Sequence, residues 1–456
     1  MTGQGVVTDH AEGKQVPGWV EHAVFWQIYP LGFTGAEADA RDQVGVVHRL
    51  GHIKSWLDYA VELGASGLLL GPIFASSTHG YDTIDYFQID PRLGDDADFD
   101  ALIEAAHGRG LRVVLDGVFN HVGREFPLFR RAVAAGPDAP DPAWFRLSWP
   151  ADRAPGQEPE YETFEGHRQL VALNHDEPAV AHHVARVMNH WLERGADGWR
   201  VDAAYAVPRR FWAQVLPQVR TEHPDAYVFG EVIHGDYAGF VRDTGVDAVT
   251  QYELWKAIWS ALNDRNFFEL AWALDRHNSW LDSFVPLTFV GNHDVTRIAS
   301  ALTDDRHLPH ALVVLMTCGG TPSIYAGDEQ AFRGIKEHRP GGDDAIRPAF
   351  PAAPADLAPF GWPTYRLHQD LIGMRRRHPW LHHARTRAVD LGNTHFIYEA
   401  FHAEHRLLVA LNLTDAPLTR SIPRAGDIVA GNAACHHTGA SQTQVTLPPH
   451  GWAILC

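Results

Sequence analysis

The stretch Gly198-Trp199-Arg200-Val201-Asp202 reads as a short strand that ends in two charged residues. Because side chains alternate along a strand, Arg200 and Asp202 point to the same side. A neighbouring arginine favours the ionised form of an aspartate and lowers its pKa, and an ionised carboxylate at a strand end can act as a nucleophile. On this stretch alone, a buried structural ion pair is the favoured interpretation, because such pairs also perturb carboxylates.

Apolar runs alternate with helix-like segments on both sides of this stretch. Strands are predicted at residues 23–29, 67–70, 111–115, 198–202, 227–229, 248–251, 285–290 and 322–325, and helices at residues 52–63, 101–110, 179–194 and 210–219. This alternation predicts a parallel sheet of the α/β class, and about eight such units predict a closed (β/α)8 TIM barrel. Catalytic groups of such barrels follow the C-terminal ends of the strands, where this chain has Asp116, Asp202, Glu231 and Asp294.

Two other segments depart from this alternation. Residues 123–173 form a long, proline-rich connection with many aromatic residues, which predicts an inserted lid over the site rather than a simple linker. After residue 383 the pattern changes to the apolar and polar alternation of a small antiparallel β domain. The predicted domains are a catalytic barrel at 1–122 and 174–383, an inserted lid domain at 123–173 and a C-terminal β-sandwich at 384–456.

The charge of the chain narrows the choice of partner. Lys and Arg number 38 against 56 Asp and Glu, a net charge of −18. Nucleic acids and anionic membranes require a basic surface, so neither is expected, and a neutral substrate suits the chain better. Residues 1–14 show no apolar core of a secretory signal, which predicts a cytoplasmic protein. Cys318, Cys435 and Cys456 have no metal-ligand spacing and are too few for a disulfide framework.

Four short motifs end predicted strands and fall in a characteristic order. They are Asp116-Gly-Val-Phe-Asn120-His121, Gly198-Trp-Arg200-Val-Asp202, Gly230-Glu231 and Asn292-His293-Asp294. Their order and spacing resemble the signature segments of the alpha-amylase family of glycoside hydrolases, and the resemblance covers nearly the whole chain. Each motif alone is weak evidence for the resemblance, but four motifs in this order are specific to the family.

The resemblance implies roles for the carboxylates. Retaining glycoside hydrolysis needs one carboxylate that attacks the sugar and one carboxylic acid that protonates the leaving oxygen. The resemblance makes Asp202 the nucleophile, Glu231 the general acid/base and Asp294 a third carboxylate that holds ring hydroxyls. Arg200 is expected to keep Asp202 ionised. Burial and neighbouring carboxylates are expected to raise the pKa of Glu231.

Further residues match the family's supporting positions. His121 and His293 resemble two histidines that hydrogen-bond the sugar, although either alone would more often be structural. Tyr81, in His79-Gly80-Tyr81-Asp82, resembles the tyrosine that stacks under the sugar. Asp116 and Asn120 are expected to hold the end of the third strand. The asparagine binds calcium in some family members, but no metal or cofactor is predicted here.

The subgroup is indicated by the residues that surround these motifs. Leu173-Asn174, the run from Gly230 to His234 and the run from His293 to Arg297 are most similar to the neopullulanase, cyclomaltodextrinase and maltogenic-amylase group. That similarity implies an oligosaccharide substrate: small or cyclic alpha-glucans with alpha-1,4 or alpha-1,6 bonds.

The segment after Asp202 departs from the pattern of the group, and Arg297 gives a further indication about the pocket. Tyr205 lies where relatives carry polar or charged residues, and it is expected to make the leaving-group side of the site more aromatic. Arg297 is a predicted substrate-binding residue that pairs, in exo-acting relatives, with an aspartate where this chain has Thr78. That difference predicts a pocket that stays open at the non-reducing end.

Three functions therefore remain possible from the sequence. The main prediction is a retaining alpha-glycoside hydrolase that works by double displacement. An alpha-glucan transglycosylase or isomerising enzyme is the alternative, because an aromatic acceptor site can favour a sugar over water. A noncatalytic carbohydrate-binding relative is less favoured, because such proteins usually lose a carboxylate. The sequence leaves the oligomeric state open.

Overall fold

Eight short parallel strands form the centre of the computed structural model, which describes residues 16–137, 143–150, 157–339, 341–423, 426–438 and 441–456. The strands are β1 Phe25–Ile28, β2 Gly67–Leu70, β3 Arg112–Gly117, β4 Gly198–Val201, β5 Tyr227–Gly230, β6 Ala248–Val249, β7 Leu287–Phe289 and β8 Thr321–Tyr325. They pair in the order β6-β5-β4-β3-β2-β1-β8-β7. A parallel bridge between Thr250 and Leu287 joins the two outer strands, so the sheet closes into the predicted barrel.

Alternation along β4 places Arg200, the charged residue of this strand, inside the barrel. The ring of Trp199 packs against Phe74 and Phe119, with centroids 6.0 and 5.7 Å away. Arg200, one residue later, points the other way and reaches the Asp116 carboxylate of the neighbouring strand β3. The strands are buried on both faces, as expected for a parallel sheet between its own interior and a layer of helices.

Helices surround the strands. Outside the lid they span Pro30–Phe33, Leu50–Lys54, Leu57–Leu63, Asp96–His107, Pro178–Glu193, Arg209–Glu222, Tyr237–Thr244, Tyr252–Asn263, Phe267–Trp280, Ile298–Ala301, Leu308–Thr317 and Trp362–Arg377. Among the described ranges, none of them combines the length and the apolar composition that a bilayer span requires.

Helix boundaries differ from the sequence prediction, and two of the differences have a visible cause. The helix predicted at 101–110 begins earlier, at Asp96, because the side chain of Asp95 accepts hydrogen bonds from the backbone of Ala97 and Asp98 and so caps the first turn. The single helix predicted at 52–63 is two helices with a break at Ser55 and Trp56. The break accompanies the complete burial of the Trp56 side chain.

The connection between β3 and β4 contains secondary structure of its own. A two-stranded ribbon of His121–Gly123 and Leu170–Ala172 begins and ends it, with helix Pro127–Ala135 and the short pair Leu147–Ser148 and Glu160–Tyr161 between. Phe126, Phe129 and Phe145 are buried there, so its aromatic residues pack rather than form a bare linker. Residues 138–142 and 151–156 of the predicted lid lie outside the described residues.

The C-terminal region consists of antiparallel sheets, as predicted. Its strands are β9 Arg385–Leu391, β10 His395–His402, β11 His405–Asn412, β12 Leu418–Pro423, β13 Ile428–Gly431, β14 Ala434–His437, β15 Gln442–Leu447 and β16 Trp452–Leu455. They form a five-stranded sheet in the order β9-β10-β11-β16-β13 and a three-stranded sheet in the order β12-β15-β14. Ile397, Leu408, Ile422 and Val445 pack together between the sheets. The domain limits at 122, 173 and 383 stay predictions.

Strand β4 leaves no room for a side chain at Gly198. A Cβ there would overlap the backbone carbonyl oxygen of Tyr227 on β5, and neither backbone can shift without disturbing the pairing. We expect Gly198→Ala to lower the free energy of unfolding by about 1–3 kcal/mol, measured by urea denaturation. Gly18→Ala is the matched control, because a Cβ there meets nothing within 4 Å. Equal unfolding midpoints for the two variants would contradict this account of β4.

Candidate active site

A cavity of about 320 Å³ lies at the C-terminal ends of the barrel strands. The barrel and its loops contribute one part of the wall, and the connection after β3 contributes Phe164, Glu165, His167 and Leu170. Most of the predicted site residues meet in this cavity, among them Tyr81, His121, Arg200, Asp202, Tyr205, Glu231, His293 and Asp294.

Arg200 contacts three carboxylates from three neighbouring strands. Its Nη1 donates to both carboxylate oxygens of Asp116 at 2.7 Å and to Oδ1 of Asp202 at 3.0 Å. Its Nη2 lies 2.8 Å from Oε1 of Glu231. Arg200 and Asp116 are register partners on β4 and β3, and Asp202 and Glu231 follow β4 and β5 directly. All four side chains are buried.

One guanidinium does not neutralise three carboxylates. Burial raises the pKa of Asp202 well above its usual range, and the charges of Glu231 and Asp116 add to this effect, which Arg200 only partly opposes. Burial likewise raises the pKa of Asp116 to about 6. Arg200 lowers the pKa of Asp202, as expected, while desolvation raises it, so the ionised state of Asp202 stays a prediction.

Glu231 is held by two donors besides Arg200. The hydroxyl of Tyr252 donates to Oε1 at 3.0 Å, and the backbone N–H of Ala203 donates to Oε2 at 3.0 Å. Ala203 follows Asp202 and adopts a left-handed backbone conformation with φ of 44°, which is unfavourable for a residue with a Cβ. Asn292 in turn donates to the Tyr252 hydroxyl at 3.0 Å. The carboxyl group of Glu231 is thus fixed in orientation.

Asp294 has a more open environment and a cationic neighbour. Its carboxylate is 44% exposed, and its Oδ1 accepts from Nζ of Lys336 at 2.7 Å. Nη2 of Arg347 lies 3.5 Å from the same oxygen and 2.9 Å from Asp343. Sequence reasoning missed Lys336, Asp343, Arg347 and Tyr252. Lys336, Asp343 and Arg347 lie in a long loop after β8 without a recognisable motif, whereas Tyr252 could have been suspected from its place after the predicted sixth strand.

A chain of hydrogen bonds connects two predicted sugar-binding residues to the carboxylate cluster. Gln27 lies 3.2 Å from Nδ1 of His293, whose Nε2 makes a short contact with the Tyr81 hydroxyl. Tyr81 in turn donates to Asp116 at 3.1 Å. The rings of Tyr81 and His293 are stacked, with centroids 5.5 Å apart. Burial holds the pKa of His293 well below its usual range, so this imidazole is neutral.

His121 is fixed in a similar way. Its Nε2 lies 3.0 Å from the carbonyl oxygen of Tyr81 and therefore carries the proton, while Nδ1 accepts from Asn120 at 3.1 Å. Its ring stacks on Phe164 at 4.7 Å. Burial lowers the pKa of His121 to about 3, so the ring is neutral. Asn120 thus orients a histidine of the cavity, and a calcium-binding role for it stays untested.

Tyr205 joins the two sides of the cavity. Its hydroxyl donates to Oε1 of Glu165 at 2.9 Å, so the loop after β4 is connected to the segment that covers the barrel. Glu165 has a positive φ of 48°, a conformation that residues with a Cβ rarely adopt. This hydrogen bond between Tyr205 and Glu165 is called the mouth contact below.

Unlike the other predicted substrate-binding residues, Arg297 does not line the cavity. It is buried, it donates from Nη1 to Asp328 at 2.9 Å, and its guanidinium lies 4.4 Å from the centre of the Tyr325 ring. The predicted substrate-binding role is corrected accordingly, because the interior carboxylate of Asp328 holds this cation away from the cavity. Thr78 hydrogen-bonds Asp82 and Arg297 pairs with Asp328, so Thr78 and Arg297 do not pair with each other. An open pocket at the non-reducing end stays a prediction.

The raised pKa of Asp116 predicts a pH-dependent stability. The folded protein holds the proton up to about pH 6, whereas an unfolded aspartate loses it near pH 4, so the stability that the proton confers is lost as the pH rises through this window. We expect the free energy of unfolding of the wild type relative to Asp116→Asn to fall by about 3 kcal/mol between pH 4 and pH 7.

Urea denaturation at a series of pH values measures this difference. Asp39→Asn is the control, because Arg41 lowers the pKa of the partly exposed Asp39 to about 2, so the contribution of Asp39 to stability is level or rises over the same interval. A wild-type advantage over Asp116→Asn that grows with pH would refute the assignment.

Comparisons with known proteins agree with this geometry. The sequence profile of the alpha amylase catalytic domain matches residues 27–386. A cyclomaltodextrinase of a Bacillus species is 33% identical over 350 residues, which are 72% of this chain and 62% of that protein. An intracellular maltogenic amylase of Bacillus subtilis is 31% identical over 353 residues, which are 71% of this chain and 58% of that protein. The chain thus spans about three fifths of the length of these curated relatives.

A solved structure covers the chain more completely. The native form of the debranching enzyme of Nostoc punctiforme superposes with a TM-score of 0.82 at 27% identity, over 97% of this chain and 99% of that one. The resemblance derived from the four strand-end motifs is confirmed, as is the similarity to cyclomaltodextrinases and maltogenic amylases. The chain belongs to the alpha-amylase family.

Proposed function

We propose that the chain is a retaining alpha-glycoside hydrolase that acts on small or cyclic alpha-glucans. The observation that carries the proposal is that Asp202 and Glu231 contact the same guanidinium, at 3.0 and 2.8 Å. Retaining enzymes need their two carboxyl groups about 5 Å apart, close enough for one to attack the sugar while the other protonates the leaving oxygen. Two carboxylates that share one arginine fit this spacing.

Double displacement assigns a task to each group. The Asp202 carboxylate attacks the anomeric carbon while Glu231 gives its proton to the departing glycosidic oxygen, which leaves a covalent glycosyl-Asp202 ester. Glu231 then takes a proton from water, and the water oxygen displaces Asp202 from the sugar. Tyr252 and the Ala203 N–H hold the Glu231 carboxyl for both steps. Asp294, oriented by Lys336, grips ring hydroxyls.

The substrate class rests on the relatives and on the cavity. The relatives are named cyclomaltodextrinase, maltogenic amylase and debranching enzyme, which supports alpha-glucans with alpha-1,4 bonds, alpha-1,6 bonds or both. The cavity holds neutral histidines and a stacked tyrosine, which suit an uncharged sugar. The Bacillus subtilis relative is named intracellular, which supports a cytoplasmic location.

Transglycosylation is the second candidate, and the position of Tyr205 favours it. The tyrosine and the adjoining Ala206 line a groove together with Glu165, and the mouth contact holds the tyrosine hydroxyl. We infer that the sugar beyond the cleaved bond binds against this ring. An aromatic platform favours a sugar over water as the acceptor of the glycosyl group. Chromatography of the products at high maltose concentration separates the two functions, because transfer creates longer chains or new linkages.

The nucleophile provides the direct test of the proposed function. We expect Asp202→Asn to lower kcat by roughly three orders of magnitude or more, because the amide does not form the glycosyl ester. Turnover is measured on a panel of maltotriose, cyclomaltodextrins, pullulan, panose, isomaltose, sucrose and trehalose. Asp243→Asn, the same change at an exposed carboxylate paired with Arg209, serves as the control and retains activity.

Full activity of Asp202→Asn would refute the mechanism. A wild type that binds these sugars and cleaves none would instead establish the noncatalytic alternative. Turnover confined to sucrose or trehalose would retain the site and overturn the substrate class.

A further inference from the structure

A second, larger groove lies next to the catalytic cavity. It measures about 510 Å³ and lies along the two consecutive helices Tyr252–Asn263 and Phe267–Trp280. Trp255 and Trp272 contribute its aromatic surface, and the Trp272 residue is 62% exposed. This groove is called the helix groove below. A tryptophan that solvent reaches so freely gains nothing from burial in the core, which marks the surface as a candidate binding site.

The helix groove adjoins the catalytic cavity. Ile233, two residues after Glu231, lines both of them. Tyr252 lines the helix groove, and its hydroxyl donates to the Glu231 carboxyl. The groove therefore reaches a residue that contacts the proposed proton donor, the group that the leaving oxygen meets in the proposed mechanism.

The charged side chains of the helix groove are paired, and their charges sum to zero. Arg276 makes a two-point ion pair with Glu253 at 3.0 and 3.1 Å, and Lys256 lies 2.5 Å from Glu269. A surface with balanced charges does not attract nucleic acid or another polyanion. It does present donors and acceptors in fixed positions, which is what recognition of hydroxyl groups requires.

The two tryptophans are held in place from behind. The guanidinium of Arg276 lies 4.9 Å from the centre of the Trp272 ring, and the ring of Trp255 stacks on Phe289 of β7 at 6.4 Å. A ring that is supported on one face loses little conformational entropy when a ligand covers its other face. Rigid aromatic rings beside paired polar groups fit the apolar face and the hydroxyl rim of a sugar ring.

We propose that the helix groove binds the leaving-group end of longer alpha-glucan chains, whose scissile bond lies between Asp202 and Glu231. The proposal rests on the proposed hydrolase function and extends it to additional sugar-binding positions beyond the catalytic cavity. It makes Trp272 a residue that determines chain-length preference. A short substrate occupies the cavity alone, whereas a longer one also covers Trp272.

Kinetics of Trp272→Ala on two substrates test the proposal. The readout is the ratio of kcat/KM for maltoheptaose to kcat/KM for maltotriose, and we expect Trp272→Ala to lower this ratio about three- to tenfold, mainly through the KM for maltoheptaose. Trp272→Phe, which keeps an aromatic ring, restores most of the ratio. Phe360→Ala is the control, because Phe360 is similarly exposed at 64% but lines neither cavity. An unchanged ratio for Trp272→Ala overturns the proposal.

A binding measurement separates failure of the groove from failure of the hydrolase. Isothermal titration of maltoheptaose into Asp202→Asn and into the double variant Asp202→Asn/Trp272→Ala does not depend on turnover. Weaker binding by the double variant supports the groove even if the wild type cleaves no glucan, and equal binding refutes it.

Sedimentation velocity covers the remaining outcome: a dimer that Trp272→Ala dissociates would assign this face to a second copy of the chain and overturn the sugar-binding proposal.

Discussion

The contacts of the Arg200 guanidinium are the constraint on which the site depends. A parallel barrel brings the ends of β3, β4 and β5 together, and each delivers a carboxylate to the same interior position. Without a cation between them, three such groups would repel one another in a medium of low dielectric constant. Arg200 permits their approach, yet burial, with a smaller contribution from the neighbouring carboxylates, still raises the pKa values of Asp116 and Asp202.

The surroundings of this cluster hold one carboxyl group rigidly and leave another accessible to solvent. Glu231 is held by Tyr252 and the Ala203 backbone, and Ala203 does so in a strained conformation. Asp294 is nearly half exposed and paired with Lys336 from a distant loop. The group proposed to move a proton is therefore fixed, while the group proposed to grip the sugar faces the solvent from which the sugar arrives.

Local patterns explain how much could be predicted from the sequence. A strand and the polar residue that follows it are adjacent in the chain, so the barrel and the positions of Asp202 and Glu231 could be inferred from periodicity and motifs. Lys336 and Arg347 lie 42 and 53 residues after Asp294, and only the folded loop brings them to it. The prediction that Arg297 binds substrate was wrong for the same reason, because its partner Asp328 is distant in sequence and close in space. The break at Ser55 depends on the packing of Trp56, which helical periodicity does not report.

The mouth contact between Tyr205 and Glu165 has a topological consequence. Its two residues come from the loop after β4 and from the connection after β3, and both line the cavity, so the hydrogen bond joins two segments of the cavity wall. Under the proposed function, a linear glucan has free ends and can enter beside this contact end first. A closed ring has no free end and must fit past the contact as a whole. Linear and cyclic sugars would then differ in how fast they arrive at the site, even where the bond to be cut and the chemistry that cuts it are the same.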